Sequence, residues 1–248
     1  MQIKVNHIRD LLAQQYLNEN FTTDKSGVRT VELIGASFIA DEALIFGTEN
    51  AAYIQNELDW YLSQSLNVND IPGKTPAIWN AVASPEGLIN SNYGYLVLSK
   101  ENGSQYENVR NELIFNAESR RAIMIYTRPS MHKDWCTRGM SDFICTNAVQ
   151  FLLRDGKLHM IVQMRSNDAV FGYKNDFAWQ KYIQWCMLED LVGRTGQTIL
   201  AGDITWQVGS LHVYERHFNY LTDYLFEGED DDEDDDDILD DVDDSIFN

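Results

Sequence analysis

"AVQFLLRDGKLHMIVQMR", residues 148–165, reads as two strands joined by a tight turn. Asp155-Gly156 suits a two-residue loop in which both central residues take positive φ, and the flanks are rich in apolar and β-branched residues. With those two residues as the loop, Leu153 faces Leu158, Phe151 faces Met160 and Val149 faces Val162. Extending the ladder puts Cys145 opposite Ser166, with side chains roughly 5 Å apart, and Arg165 one residue away. In a strict ladder Arg165 points to the other sheet face, so only a one-residue bulge turns its guanidinium toward the thiol. A thiol beside a guanidinium has a lowered pKa and is a candidate nucleophile. The other reading makes Cys145 a small buried core residue.

Outward from this hairpin, strand-like runs occupy 30–41, 120–127 and 204–214, and helical spacing appears near 51–66, 104–116, 175–191 and 213–226. Hairpins mixed with helices, without regular strand–helix alternation, predict an α+β domain. Across 248 residues, 44% hydrophobic and 12% aromatic content supports one sizeable core, expected over 1–226. From Glu227 to Asp244 there are 14 acidic residues and no basic ones, which leaves the body only −6 of the formal −20. Residues 227–248 cannot bury enough apolar surface to offset ordering entropy and self-repulsion, so a disordered acidic tail is expected. It is either a solvated solubility tail or a docking tail whose Ile246 and Phe247 enter a pocket on replication or nucleotide-synthesis proteins. Cys136, Cys145 and Cys186 are odd in number and lack metal-ligand spacing, and the opening "MQIKVNHIRDLLAQQY" has no apolar leader core. A reducing, cytoplasmic setting with free thiols and no metal is expected. No apolar run approaches the roughly 20 residues that span a bilayer, and neither a membrane nor nucleic acid is expected as a direct partner.

Five further positions stand out. In "NAAYIQNELDWYLSQSL" the residues Ile54, Leu58, Tyr61 and Leu62 form an apolar stripe, and Glu57 falls on the same face. It lies either at the stripe's edge in solvent or in a cavity with a raised pKa, as an acid or base. His212 alternates with Leu211 and Val213 in a strand, where a lone histidine is commonly structural. Arg120 and Arg121 open a strand run and so point to opposite faces; they are either exposed strand-end charges or contacts to a ligand and a second subunit. Asp176 precedes Trp179, Tyr182, Ile183, Cys186 and Met187 at helical spacing, so Asn175 or Asp176 makes a good N-cap.

The series "NELDWY" (56–61), "AIW" (77–79), "NYG" (92–94), "ESRRAIM" (118–124), "DFICTN" (142–147), "MRSNDAVFG" (164–172) and "GSLHVYERH" (209–217) resembles the thymidylate synthase superfamily, in that family's order. "IYTRPSM", "GMSDFICTN" and "MRSNDAVFGYKNDFAWQKY" are similar to its bacteriophage branch that hydroxymethylates deoxycytidylate. The resemblance covers about 5–225 and implies a mixed sheet with helices packed on one side, in a homodimer joined sheet to sheet. It implies a pyrimidine nucleotide and methylenetetrahydrofolate as co-substrates.

By that resemblance Cys145 is the nucleophile toward carbon 6 of the pyrimidine. Arg165 and Ser166 bind phosphate, as does Lys25, a lysine where thymidylate synthases carry arginine. Arg120 and Arg121 cross the dimer interface to the neighbour's phosphate. His212 and Tyr214 bind the deoxyribose hydroxyl. Glu57 organises proton transfers and water, Tyr93 lies near carbon 5, and Trp79 and Asp168 lie near the folate. Asp176 stands where thymidylate synthases, which act on uracil, carry asparagine. An amide complements uracil, whereas a carboxyl group sharing a proton complements cytosine. The expectation is therefore 5-hydroxymethyl-dCMP formation in the host cytoplasm. The alternatives are a thymidylate synthase, a dUMP hydroxymethylase, or a non-catalytic interaction protein docking through its tail.

Overall fold

Asp155 and Gly156 take φ of 50° and 69°, so the turn forms as its residues dictate. The structure, a computed structural model, describes residues 2–24 and 27–227. In chain order its elements are α1 (Val5–Leu17), β1 (Phe21–Thr23), β2 (Arg29–Ile39), α2 (Ala51–Ser63), α3 (Ala77–Val82), α4 (Tyr93–Leu98) and α5 (Gln105–Phe115). Then follow β3 (Ile123–Ile125), α6 (Met131–Asp134), β4 (Thr146–Arg154), β5 (Lys157–Asp168), α7 (Gly172–Thr195), β6 (Leu200–Tyr214) and α8 (Asn219–Glu227). The expected acidic tail and Lys25 lie outside the described residues, save Glu227.

The strands make one mixed sheet in the order β1-β2-β6-β5-β4-β3. All neighbours are antiparallel except β5 and β6, whose parallel pairing is closed by the crossover through α7. On β5, Leu158, Met160, Val162 and Met164 are buried while Lys157, Gln163 and Arg165 are exposed, the period of a sheet covered on one face. α7 covers it with Trp179, Ile183, Met187 and Leu191, each buried to within 1%. The buried Gln184 amide fastens the helix to the sheet, donating to the Leu158 carbonyl at 2.9 Å and the Gly202 carbonyl at 3.0 Å. At the sheet edge, Ile123 and Ile125 flank the buried Met124 and remain 37% and 52% exposed, so the opposite face stays open in a single chain.

Several boundaries differ from those expected. The strand at 120–127 shortens to Ile123–Ile125, because the preceding Arg120 and Arg121 make no ladder pairing. The long helix begins at Gly172, not near 175, and the last one at Asn219, because β6 runs on to Tyr214. In α2 the buried face is Glu57, Trp60 and Tyr61; Leu62, expected in the stripe, is 40% exposed.

α2 and α4 cross in near contact at Gly94. A Cβ there would stand 1.8 Å from the Tyr61 carbonyl oxygen, which a helix backbone cannot yield. Gly94→Ala is expected to cost about 3 kcal/mol of stability through overpacking. A denaturant midpoint equal to the parent's would show that the two helices separate freely.

Candidate active site

The hairpin register holds from Arg154↔Lys157 to Ala148↔Gln163 and then slips. β4 carries one extra residue, Asn147, so that Thr146 pairs with Met164. Beyond the slip Cys145 faces Arg165, whose backbone N–H donates to the Cys145 carbonyl at 2.9 Å. Ser166, expected opposite the thiol, pairs instead with Ser210 of β6. The bulge needed to bring guanidinium and thiol together is thus present: Arg165 Nη2 lies 3.4 Å from Cys145 Sγ. Its Nε donates to the Ile144 carbonyl at 2.9 Å, its Nη2 also donates to the Phe143 carbonyl, and its plane covers the Phe143 ring. β6 makes room with Gly209, where a Cβ would stand 2.8 Å from the Arg165 carbonyl oxygen.

The chain entering Cys145 is held by Asp142. This buried carboxylate accepts from the Asn90 and Ser91 N–H groups at 2.6 and 2.9 Å and from the Ser91 hydroxyl at 2.6 Å. The expected lowering of the thiol pKa does not occur. Burial pushes the thiol up to about 11, outweighing the pull of Arg165, so the resting sulfur carries its proton.

Glu57 is buried, which settles the choice between cavity and solvent edge. It accepts from the Tyr53 hydroxyl and from Trp79 Nε1 at 3.1 Å, and burial raises its pKa. Trp79 is half-buried edge-on to Trp60. Tyr93 stacks on Tyr61 with centroids 5.2 Å apart and meets Tyr126 edge-on, making an aromatic wall beside Asp176.

Asp176 is no N-cap. α7 starts four residues earlier, its cap residue Phe171 gives no side-chain hydrogen bond, and the Asp176 carboxyl turns toward β5 to accept from Asn167 Nδ2 at 2.7 Å. Burial, then the nearby Glu57 charge, push Asp176 up to about 8. Asp168 closes β5, accepts from the Val170 N–H at 2.9 Å, and pairs across the sheet with His212. His212 and Tyr214 share a face, ring centroids 4.8 Å apart, and the Ser210 hydroxyl between β2 and β6 donates to Glu32 beside them.

The family model for thymidylate synthase matches residues 8–231. The chain belongs to the thymidylate synthase family. Two proteins named deoxycytidylate 5-hydroxymethyltransferase, from Enterobacteria phages T4 and T2, are each 55% identical over 221 residues, 89% of this chain and 89% of theirs. A thymidylate synthase of Bacillus atrophaeus is 29% identical over 169 residues, 65% of this chain and 69% of its own.

Within this thymidylate synthase-family fold, Cys145 meets Arg165, Tyr93 hydrogen-bonds Asp176 and Glu57 holds Trp79, with the charges of Cys145 and Glu57 felt at Tyr93 and Asp176, and Asp168, His212 and Tyr214 cluster at the neighbouring ends of β5 and β6. Arg120 and Arg121 do not join them. Both are exposed; Arg121 pairs with Glu112 at 2.9 Å, and Arg120 offers its side chain to no group among the described residues. No three His, Cys, Asp or Glu side chains are gathered for a metal among the described residues, and no described helix is long and apolar enough to cross a membrane. Sequence reasoning missed Asn167, Tyr53 and Asp142. All three lay within stretches already singled out, Tyr53 four residues before Glu57, Asp142 at the head of "DFICTN", and Asn167 nine residues before Asp176, which it meets once β5 turns into α7.

A carboxyl raised to about 8 by folding binds a proton that the unfolded chain, with an ordinary aspartate, has lost. Its stabilisation is full below about pH 4 and fades as pH rises through about 8. Wild-type melting temperature is expected to fall across that window more steeply than that of Asp176→Asn. Parallel slopes in thermal melts at pH 5, 6, 7 and 8 would contradict the assignment.

Proposed function

We propose that the chain transfers a one-carbon unit from methylenetetrahydrofolate to carbon 5 of dCMP, with water completing the product as 5-hydroxymethyl-dCMP and tetrahydrofolate released. The observation that carries this reading is Asp176, a carboxyl whose pKa burial pushes up to about 8 and which stands where thymidylate synthases resembling this chain carry asparagine. The naming of the phage relatives supports it.

Cys145 sulfur adds to carbon 6. Because carbon 6 is conjugated through carbons 5 and 4 to ring nitrogen 3, the electron pair displaced by that addition ends on nitrogen 3. Asp176 supplies a proton there and is left as the carboxylate, so the ring stays neutral, while the proton shed by the sulfur passes to water and so to solvent. This coupling suits a thiol whose resting pKa is high. Arg165 and Ser166, with Lys25, hold the phosphate, while His212 and Tyr214 hold the deoxyribose hydroxyl. Arg120, unengaged and exposed, and Arg121, once released from Glu112, reach the phosphate of a second subunit in a homodimer joined across the open sheet face. Glu57, held by Tyr53 and Trp79, orders water and protons over the ring, and Tyr93 lies near carbon 5.

Methylenetetrahydrofolate supplies the one-carbon unit when bound. The residues fit such a flat, amide-edged ring: Trp79 and Asp168 offer an aromatic face and an acceptor. Ile78 and Phe171, 65% and 50% exposed, leave apolar surface beside them. Incubation with dCMP and methylenetetrahydrofolate, followed by mass measurement, is expected to give a nucleotide heavier by one CH2O. A methyl product with dihydrofolate absorbance would refute the water step.

A further inference from the structure

A protonated carboxyl has one donor and one acceptor, and moving the proton from one oxygen to the other exchanges them. One form complements cytosine's amino group and bare ring nitrogen; the other complements uracil's carbonyl and ring N–H. Asp176 alone therefore does not choose between the bases. The Trp206 indole N–H, fully buried, can only donate, and does so to Asn167 Oδ1 at 3.2 Å. That turns the amide's other end, which also can only donate, toward Asp176 Oδ2 at 2.7 Å. Oδ2 is thereby held as an acceptor, and because the Tyr93 hydroxyl, which also hydrogen-bonds the Asp176 carboxyl, can donate or accept, Oδ1 is the oxygen free to carry the proton. The absence of a side chain at Gly172 leaves room for the amide, since a Cβ there would sit 3.1 Å from Asn167 Nδ2.

We propose that Asn167, oriented by Trp206, is the positioning residue that makes Asp176 a reader of cytosine, with Oδ2 accepting from both Asn167 and the exocyclic amino group and Oδ1 presenting its proton to ring nitrogen 3. The inference rests on Asp176 being the group that meets the base. Uracil in the same pose requires the proton on Oδ2, against the Asn167 N–H.

The test compares kcat/KM for dCMP and dUMP in wild type, Asn167→Ala, Trp206→Phe and Asp176→Asn. Asn167→Ala is expected to lower the dCMP-over-dUMP ratio about tenfold or more, as loss of one discriminating hydrogen bond does. Trp206→Phe, which leaves the amide in place but free to flip, is expected to move the ratio the same way by less. General damage to folding lowers both substrates together and leaves the ratio unmoved. If Asp176→Asn changes the ratio and Asn167→Ala does not, the positioning role is overturned while the reading of Asp176 stands. A ratio unchanged in all three variants overturns both.

Discussion

Cys145→Ser is expected to lower dCMP turnover by about 10⁴-fold or more while leaving the melting temperature within a few degrees of the parent. A serine hydroxyl is far harder to ionise than even a thiol raised to about 11, and the guanidinium 3.4 Å away does not close that gap. The side chain is half-buried, donates only weakly to the Phe143 carbonyl at 3.8 Å and accepts from Arg165 Nη2, roles a hydroxyl can also fill, so the near-isosteric exchange disturbs little packing. Steady-state turnover and thermal melts on the same preparation separate the two effects. A serine variant keeping a tenth of the parental rate would remove Cys145 from the nucleophile's role.

The second large effect is expected at Asp176. Asp176→Asn should cut kcat/KM for dCMP by about 10³-fold and lower the dCMP-over-dUMP ratio, because an amide N–H can hydrogen-bond to ring nitrogen 3 but cannot hand it a proton, whereas the carbonyl oxygen of uracil can take up the displaced electron pair. The exchange keeps shape and the Asn167 contact, since an amide oxygen accepts as well as a carboxyl oxygen does. Equal loss of activity on both nucleotides, with the ratio unmoved, would mean that Asp176 does not read the base. The same variant should melt higher near neutral pH, because it no longer holds an acid in a place that disfavours its charge.

The hairpin was legible because Asp-Gly fixes both turn type and register, and each cross-strand pair from Arg154 to Ala148 follows from it. The slip at Asn147 was legible only as a condition: a ladder shows what a bulge would do but not where it falls. The start of α7 was misread because Asn175 and Asp176 carry good capping side chains, whereas the residues that open the helix, Gly172 and Tyr173, advertise nothing. α3 and α4, six residues each, are too short to show a helical period. α1 could have been found, since Val5, Ile8 and Leu12 fall at one face, but that stretch was weighed only as a leader. Glu57 betrayed itself as an acid on an apolar face, and Tyr53, four residues earlier on the same helix, was readable as its partner from that spacing, whereas Trp79 reaches it across helices, a contact that leaves no spacing rule. The thiol's pKa was misjudged for a related reason: the sequence displayed the charge beside it but not the depth of its burial.

Asn147 has a wider meaning than its place beside the thiol. It is the residue of β4 that skips a partner on β5, and its carbonyl is taken instead by the Tyr126 N–H at 2.9 Å. The sheet is thereby divided into two independently tuned lengths, one phased by the turn for packing and one phased by the extra residue for chemistry. Mutations that repack Phe151, Met160 or Val162 can thus drift without re-aiming Arg165, whereas drawing residue 147 back into the ladder would set Thr146, not Cys145, opposite Arg165.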